Sequence, residues 1–533
     1  MLTLLPALIL LVTALVVIVV HRLRPNLGIA WFLSITAAAF SMGLMIFYHW
    51  HTPGTLIFDR WLPVTQQAPQ ILFQLDAVSW SYGVSLLGLL LAILLTAPVR
   101  LQYKSNPITW AGNLGIAGAA LLGILSASPV TLVLTWTILD LLDLVITLSS
   151  SAESRTSRAA VVFFLFRLAS SFLVFWAMGI SRAYGAELQF ESADPRAAIF
   201  LLLAVGLRLG VLPLALPFSQ EVLRRRGIGT MLRLSAPAAS LGVIARLSAT
   251  VVPASISRLL LALVGLSVIY GAWMWLAAGD EVEGRQYWIL ALAGMAVGSA
   301  IRGQPQASLA WGVAMILSGG LLFLYSTRPR WAVILPALGL LGLTGLPFTP
   351  AASGWNGLIV LPFTLPDLFF LAAHSLLMLG YLRHSLRQGD APSEVERWQQ
   401  VTYYQGLAIL ILAGWLIGVL GFAGSFSIGY WWASMIPALI VIFSVGVYFY
   451  LKRKGFEVSR FQGGWLFKLG SRAGNILSTI LRLNWLYSFF WKVFNWLGRL
   501  VQLVTKMLEG AGGVLWVFVL LVLILTFLQV GVQ

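Results

Sequence analysis

Gly206-Leu-Arg-Leu-Gly-Val-Leu-Pro-Leu214 decides how this chain is read. It sits inside an apolar run, 197–217, close to the ~20 residues a helix needs to cross a bilayer core. Pro213 and Pro217 lie within that run, and a proline removes a backbone donor and disturbs a helix interior. A second run, 331–350, repeats the pattern with Gly342-Leu-Thr-Gly-Leu-Pro347 and Pro350. Prolines also occur in membrane helices as simple kinks. The matched positions favour two interrupted helices, broken at Pro213 and Pro347.

Runs of similar length recur from end to end. We count sixteen, near 2–20, 28–48, 77–97, 109–126, 129–149, 159–182, 197–217, 231–250, 257–278, 286–303, 306–326, 331–350, 358–382, 403–424, 431–451 and 513–531. Of the 533 residues, 59% are hydrophobic and 10% charged. A soluble chain carries about 25% charged residues, so a soluble enzyme and a disordered protein are both excluded. The absence of cysteine excludes disulfides, thiolate metal sites and iron–sulfur ligation. The first run lacks the basic start and cleavage site of a signal peptide. Each interrupted run is the fourth of a block of five, runs 4–8 and 9–13. An odd number of spans inverts the second block, the hydropathy pattern of an inverted repeat.

The formal charge of +16 suggests nucleic acid at first sight, but the basic residues sit in short loops. Arg22 and Arg24, Arg100 and Lys104, Arg155 and Arg158, Arg224 to Arg226, Arg328 and Arg330, Arg383 and Arg387, and Lys452 to Lys454 all follow odd-numbered runs. Even-numbered loops are poor in them, Arg302 being an exception. The positive-inside rule then makes the odd loops cytoplasmic and puts both termini outside. Residues 456–512 are too polar to span. Arg482, Ser488, Lys492, Asn495, Arg499, Gln502 and Lys506 form one helical stripe, opposite Trp485, Phe489, Phe490, Phe494 and Val501. This reads as an amphipathic helix lying along the membrane or strapping neighbouring helices, against the plainer alternative of a cytosolic linker. Glu509-Gly-Ala-Gly-Gly513 breaks it before the last run.

Several stretches together resemble the antiporter-like membrane subunits of respiratory complex I and of multisubunit Na+/H+ antiporters. Phe73-Gln-Leu-Asp-Ala-Val-Ser79 resembles that family's extended loop into its third helix. Arg167-Leu-Ala-Ser-Ser resembles its sixth, and Gly279-Asp-Glu-Val-Glu-Gly-Arg285 the loop before its tenth. The two proline stretches resemble its broken seventh and twelfth helices. The amphipathic segment and final run resemble the end of its largest subunit, which carries a lateral helix. The resemblance implies an all-α polytopic protein with two inverted five-helix repeats. It also implies partner membrane subunits and transport of protons or Na+.

The departures concern the relay. The family's fifth-helix glutamate falls on Thr137, after Trp136, while Asp140 and Asp143 follow on one helix face. Its seventh-helix lysine falls on Arg208, its Pro-Leu-His histidine on Ala215, its eleventh-helix lysine on Gly319, and its twelfth-helix charge near Trp355. A buried lysine can have its pKa lowered into the working range. Arginine stays protonated and cannot be a hopping station. Asp140, Asp143, Arg208 and Arg167 are therefore candidates for either a titrating site or a fixed ion-pair cluster. In the second repeat His374 and Asp367 are the ionisable groups expected inside, with Asp367 near the membrane edge. A lone buried histidine is more often a satisfied core residue than a relay.

No Walker loop, G-x-G-x-x-G or H-E-x-x-H occurs. The five histidines, His21, His49, His51, His374 and His384, are too scattered for a metal or haem site, so no cofactor is expected in this chain. A polytopic transferase acting on lipid-linked sugars would need an acid-rich catalytic loop, and the longest loops, 49–76 and 383–402, hold few acids. The resemblance then implies a multi-pass subunit of a prokaryotic plasma-membrane complex of the redox-driven NADH–quinone oxidoreductase type. Its proton relay is altered, or it is kept as a scaffold, or it is instead a subunit of a multisubunit Na+/H+ antiporter. Its parts are 1–108, the repeats 109–250 and 257–382, helices at 383–455, the lateral helix 456–512 and the last span 513–533. Its partners would be other membrane subunits, lipid and protons or Na+, with no nucleic acid.

Overall fold

The computed structural model describes residues 2–24, 29–58, 70–99, 107–150, 154–214, 226–247, 252–326, 330–359, 363–387, 396–422, 431–453, 484–508, 515 and 517–524. Two compact units are recognised, Met1–Gly474 and Asn475–Gln533.

The first unit is a bundle of membrane helices. They are α1 (Leu5–Leu23), α2 (Ile29–Phe47), α3 (Ala77–Thr96), α4 (Pro107–Leu125), α5 (Pro129–Ser150), α6 (Ser154–Ala183), α7 (Pro195–Leu209) and α8 (Arg226–Ile244). Then follow α9 (Ala254–Ala277), α10 (Glu281–Ile301), α11 (Pro305–Leu324), α12 (Ile334–Leu341), α13 (Pro350–Leu358), α14 (Leu365–Ser385), α15 (Arg397–Leu420) and α16 (Trp431–Arg453). Eleven helices among the described residues are long and apolar enough to cross a membrane. The chain is thus an all-α, multi-pass integral membrane protein.

Burial separates core from periphery. Nearly every side chain of α3, α8 and α11 is buried, and α3 packs on both others. Ser79, Ser81, Gly83, Ser85 and Gly88 keep α3 slender, which permits close approach of neighbours. The serine hydroxyls bond back to their own helix, as Ser85 Oγ does to the Ser81 carbonyl at 2.7 Å. Outer helices show apolar stripes instead: Leu134, Ile138, Leu141 and Val145 on α5 are all 47–61% exposed. That spacing of four, three and four is one helical face turned towards lipid.

Two short strands join the helices. β1 (Gly54–Phe58) pairs antiparallel with β2 (Ile71–Leu75), Gly54 opposite Leu75. β2 lies against the α4–α5 junction, with Ala127 N–H donating to the Leu72 carbonyl at 3.0 Å and Leu72 N–H to Thr131 Oγ1 at 2.9 Å. Asp76 then caps α3 in a reciprocal capping box with Ser79.

Both proline runs are interrupted. α7 stops at Leu209 with Gly210 in the left-handed region (φ 72°), and the N–H groups of Gly210, Val211 and Leu212 converge on the Gly206 carbonyl. The twelfth run divides into α12 and α13, with Pro347 between them and Pro350 at the start of α13. A missing N–H costs nothing at a first-turn position. Pro217 lies outside the described residues. In the second unit α17 (Asn484–Leu508) is one amphipathic helix, and 517–524 are helical. The rest of the segment read as lateral, 456–483 and 509–512, lies outside the described residues.

Candidate functional site

Asp140 stands at the midpoint of α5, Arg167 inside α6, and Arg208 in the last turn of α7 before its break. They meet in one buried cluster. Arg208 donates to Asp140 through both ends of its guanidinium, Nη1 to Oδ2 at 2.7 Å and Nη2 to Oδ1 at 2.5 Å. Arg167 Nη1 reaches Asp140 Oδ1 at 3.2 Å and also pairs with Asp143 Oδ2. Asp140, Arg167 and Arg208 are 3–4% exposed and Asp143 8%. Forked, charge-assisted pairs of this kind are the strong class of hydrogen bond. Each guanidinium also covers an aromatic ring, Arg208 over Trp136 at 4.4 Å and Arg167 over Phe163 at 3.8 Å.

The cluster balances, two carboxylates against two guanidiniums, as burial in a low dielectric requires. Among the described residues neither Arg167 Nε nor Arg208 Nε has a hydrogen-bond partner. Thr137 is not part of it, since its hydroxyl donates to the Val133 carbonyl of its own helix at 2.7 Å. The break at Gly210 matters electrostatically. It ends α7 just after Arg208, which therefore lies at the negative end of the helix dipole.

Further charged pairs flank the bundle. Arg246, at the end of α8, grips Asp76 through Nε–Oδ2 at 2.7 Å and Nη2–Oδ1 at 3.0 Å, and donates to the carbonyls of Ile124 and Ser126. Burial alone would raise the Asp76 carboxyl pKa; the Arg246 guanidinium and the Ser79 bonds outweigh it and hold it below the usual carboxylate value. Beside this pair a cleft of about 250 Å³ is lined by Gln70, Gln74, Arg182, Glu187 and Glu191, among others. It reaches Val130 on α5, ten residues or about 15 Å short of Asp140. At the opposite face Arg226 pairs with Glu281 at 2.6 Å.

The second half differs from the sequence reading. Besides His374 and Asp367 it buries Arg285 completely and Glu281 and His384 almost so. Arg285 lies inside α10, where Nη1 donates to Thr230 Oγ1 of α8 at 2.7 Å. Asp367 pairs with Arg302 at 2.6 Å and closes a capping box with Thr364 at the start of α14. The sequence reading assigned no role to Arg246 or Arg285. Each is an arginine in or beside an apolar run, and that isolation was the available signal.

At two positions where the resemblance expects a charged side chain, Gly319 and the neighbourhood of Trp355, aromatic rings pack instead. A side chain on Gly319 would strike the Trp288 indole, whose Nε1 donates to the Met315 carbonyl at 3.1 Å. Trp355 stacks edge-on with Trp311 at 5.4 Å. His374 sits against both, 5.4 Å from Trp311 and 5.2 Å from Trp355. It faces the Leu343 backbone, and among the described residues neither ring nitrogen makes a hydrogen bond of ordinary geometry. The same holds for Trp311 Nε1, Trp355 Nε1, Ser308 Oγ and the hydroxyls of Tyr82 and Tyr381. Leaving such a group dry costs about 1–3 kcal/mol each. Among the described residues no His, Asp or Glu cluster has a geometry to hold a metal.

No protein-family model and no curated protein matches the chain. Solved structures do. A chain of the Mrp complex from Dietzia sp. DQ12-45-1b aligns over 94% of this chain at TM-score 0.64 and 17% identity. This chain spans only 62% of that one's length. A chain of respiratory complex I from Thermus thermophilus with bound NADH aligns over 82% of this chain and 99% of its own, at TM-score 0.61 and 20% identity. A chain of the membrane-bound sulfane sulfur reductase, an archaeal respiratory membrane complex, aligns over 97% and 99% at TM-score 0.63 and 14% identity. These likenesses show that the chain shares its fold with chains of these three membrane complexes.

Proposed function

We propose that this chain is an antiporter-like membrane subunit of a redox-driven complex of the NADH–quinone oxidoreductase type, contributing to translocation of protons or another cation through an altered relay. The observation that carries the reading is the buried Asp140–Arg208 fork, joined through Arg167 to Asp143, beside the α7 break. A fixed arginine cannot hop protons, so in this reading the carboxylates are the titrating members. A proton arriving at Asp140 loosens its hold on Arg208 and leaves Arg167 to Asp143, and the cluster passes on charge. The electron-carrying groups belong to other subunits, and the surrounding membrane subunits and lipid are the partners. The orientation is the one the basic loops favour, termini outside.

The test is coupled translocation by the intact complex. Asp140→Asn should reduce proton uptake with assembly retained, and Arg208→Lys, which restores a titratable cation, should keep or raise it. Robust pumping unchanged by both Asp140→Asn and Asp143→Asn overturns the reading. A second reading, a non-transporting scaffold, is favoured by the charge balance of the cluster and by the Trp288 indole packed against Gly319. Under it Asp140→Asn lowers assembly and leaves the pumping of the surviving complex unchanged.

A further inference from the structure

The cleft of about 250 Å³ beside the Arg246–Asp76 pair takes no part in the buried cluster. Its walls include the buried apolar side chains of Leu188 and Phe190. Arg246 is committed, to Asp76 and to two backbone carbonyls. Arg182, Glu187 and Glu191 are exposed, and among the described residues none of them is in an ion pair. The cleft thus offers one uncommitted cation and two uncommitted anions, which complement a ligand carrying both signs. It also adjoins a lipid-facing stripe. Leu165, Leu168, Phe172 and Trp176 on α6 are 37–63% exposed, at spacings of three and four. The stripe continues through Gly179, where an added side chain would meet nothing within 4 Å, so a notch lies between Trp176 and the last turn of α6. Met178 and Arg182, one turn apart beside that notch, both line the cleft. From Phe172 to Arg182 is ten residues, about 15 Å, half of the ~30 Å hydrocarbon core and so the depth of one leaflet. Trp176 and Tyr184, 63% and 60% exposed, flank the notch as aromatic residues do at a membrane–water boundary.

We propose that this cleft is a phospholipid site that selects an ethanolamine headgroup, with an acyl chain lying along the Phe172–Gly179 face of α6. The phosphate accepts hydrogen bonds from the Arg182 guanidinium, whose planar fork suits phosphate oxygens. The ammonium donates to the carboxylates of Glu187 and Glu191. A primary ammonium has three N–H donors to share between them. A choline headgroup has none, and a glycerol headgroup brings the two carboxylates a negative charge with no cation to balance it. The apolar notch at Gly179 is the reason for assigning a lipid rather than a free headgroup, since only a molecule with a chain covers both the charged rim and the stripe. The site is separate from Asp140, and the transport reading stands or falls without it.

The experiment is thiol protection in the intact complex. The chain has no cysteine, so Gln189→Cys places a single thiol on the cleft wall, and maleimide uptake is read from the mass of this chain. The complex is placed in nanodiscs of phosphatidylcholine, alone or mixed with phosphatidylethanolamine or phosphatidylglycerol. Phosphatidylethanolamine should slow labelling about tenfold relative to phosphatidylcholine alone, as a site filled about 90% of the time would. Phosphatidylglycerol should not. Gln304→Cys, exposed and outside the cleft, should label equally in all three. The protection should disappear with Arg182→Gln and with Glu187→Gln combined with Glu191→Gln, all at exposed positions. Gly179→Leu, which fills the notch and leaves every charge in place, should also remove it. Equal labelling of Gln189→Cys in the three lipids overturns the proposal, and so does equal protection by phosphatidylglycerol. Protection already complete in phosphatidylcholine alone would mean that a partner subunit covers the cleft, which also overturns it. Soluble glycerophosphoethanolamine protecting as well as the lipid would make the ligand a free headgroup and overturn the lipid assignment.

Discussion

Asp140 touches both buried arginines, whereas Asp143 touches only Arg167. Their neutralisation should therefore differ. Asp140→Asn leaves two guanidiniums facing one carboxylate and should cost about 3–5 kcal/mol. Asp143→Asn leaves Arg167 its Asp140 contact and should cost roughly 1–3 kcal/mol. Melting temperatures in detergent should rank parent, Asp143→Asn, Asp140→Asn, and equal losses would contradict the geometry. Asp76 supplies a pH test. Its carboxyl pKa is depressed in the fold, so its contribution is present above the unfolded value of about 3.9 and disappears as pH falls through the folded value. Acidification below about pH 4 should narrow the stability gap between parent and Asp76→Asn. A gap unchanged at low pH would show that the Arg246 pair contributes nothing. The presence of Asp140, Asp143, Arg167 and Arg208 inside apolar runs was legible in the sequence. That Arg167 bridges the two acids was not, because α6 is separate in sequence and its rotation about its axis is set by packing.

At the scale of elements, the α7 break depends on Gly210, whose φ of 72° suits glycine. Gly210→Ala should cost about 1–2 kcal/mol, read as a lower melting temperature, and should misplace Arg208. An unshifted melting curve would mean the turn relaxes freely. α17 carries Trp496, Leu500 and Leu503 on one stripe, each 42–59% exposed. Serine at these three positions should strip partner membrane subunits from the purified complex in mild detergent, and unchanged co-purification would argue against a strapping role. The breaks and the amphipathic helix were readable because proline and stripe periodicity are local signals. The β1–β2 hairpin was legible only as an extended entry to α3. Its five-residue strands carry no periodicity that separates them from a loop, and their pairing is set by the α4–α5 junction.

For the whole molecule, contacts define two faces. The hairpin, the Arg246–Asp76 pair and the α4–α5 junction share one. Arg226 with Tyr325 and Glu281, and Arg387 with Gly279, share the other. α10 runs from Glu281 on the second face to Ile301 on the first. Gln304 and Gln400, both exposed, therefore lie on opposite faces, the latter near Tyr403, which accepts a bond from Ser326 N–H at 2.7 Å. The chain has no cysteine, so single-cysteine variants need no background removal. An impermeant maleimide added outside should label Gln304→Cys and spare Gln400→Cys, and labelling of both would overturn the proposed orientation.

Hydropathy, loop charge and proline position by themselves determined that the chain is a many-spanning helical protein with two interrupted helices. These are one-dimensional signals, because a bilayer imposes the same apolar length on each span and an asymmetric rule on basic loops. Tertiary structure alone decided which charges neutralise each other. It made Arg167 the bridge between Asp140 and Asp143 and joined Asp76 to Arg246 across 170 residues. It also set Trp288 against Gly319 and packed His374 against the Trp311 and Trp355 indoles. The physical reason is that a buried charge or ring is placed by helix rotation and crossing, which follow from packing several helices at once and leave no mark in the periodicity of any one of them.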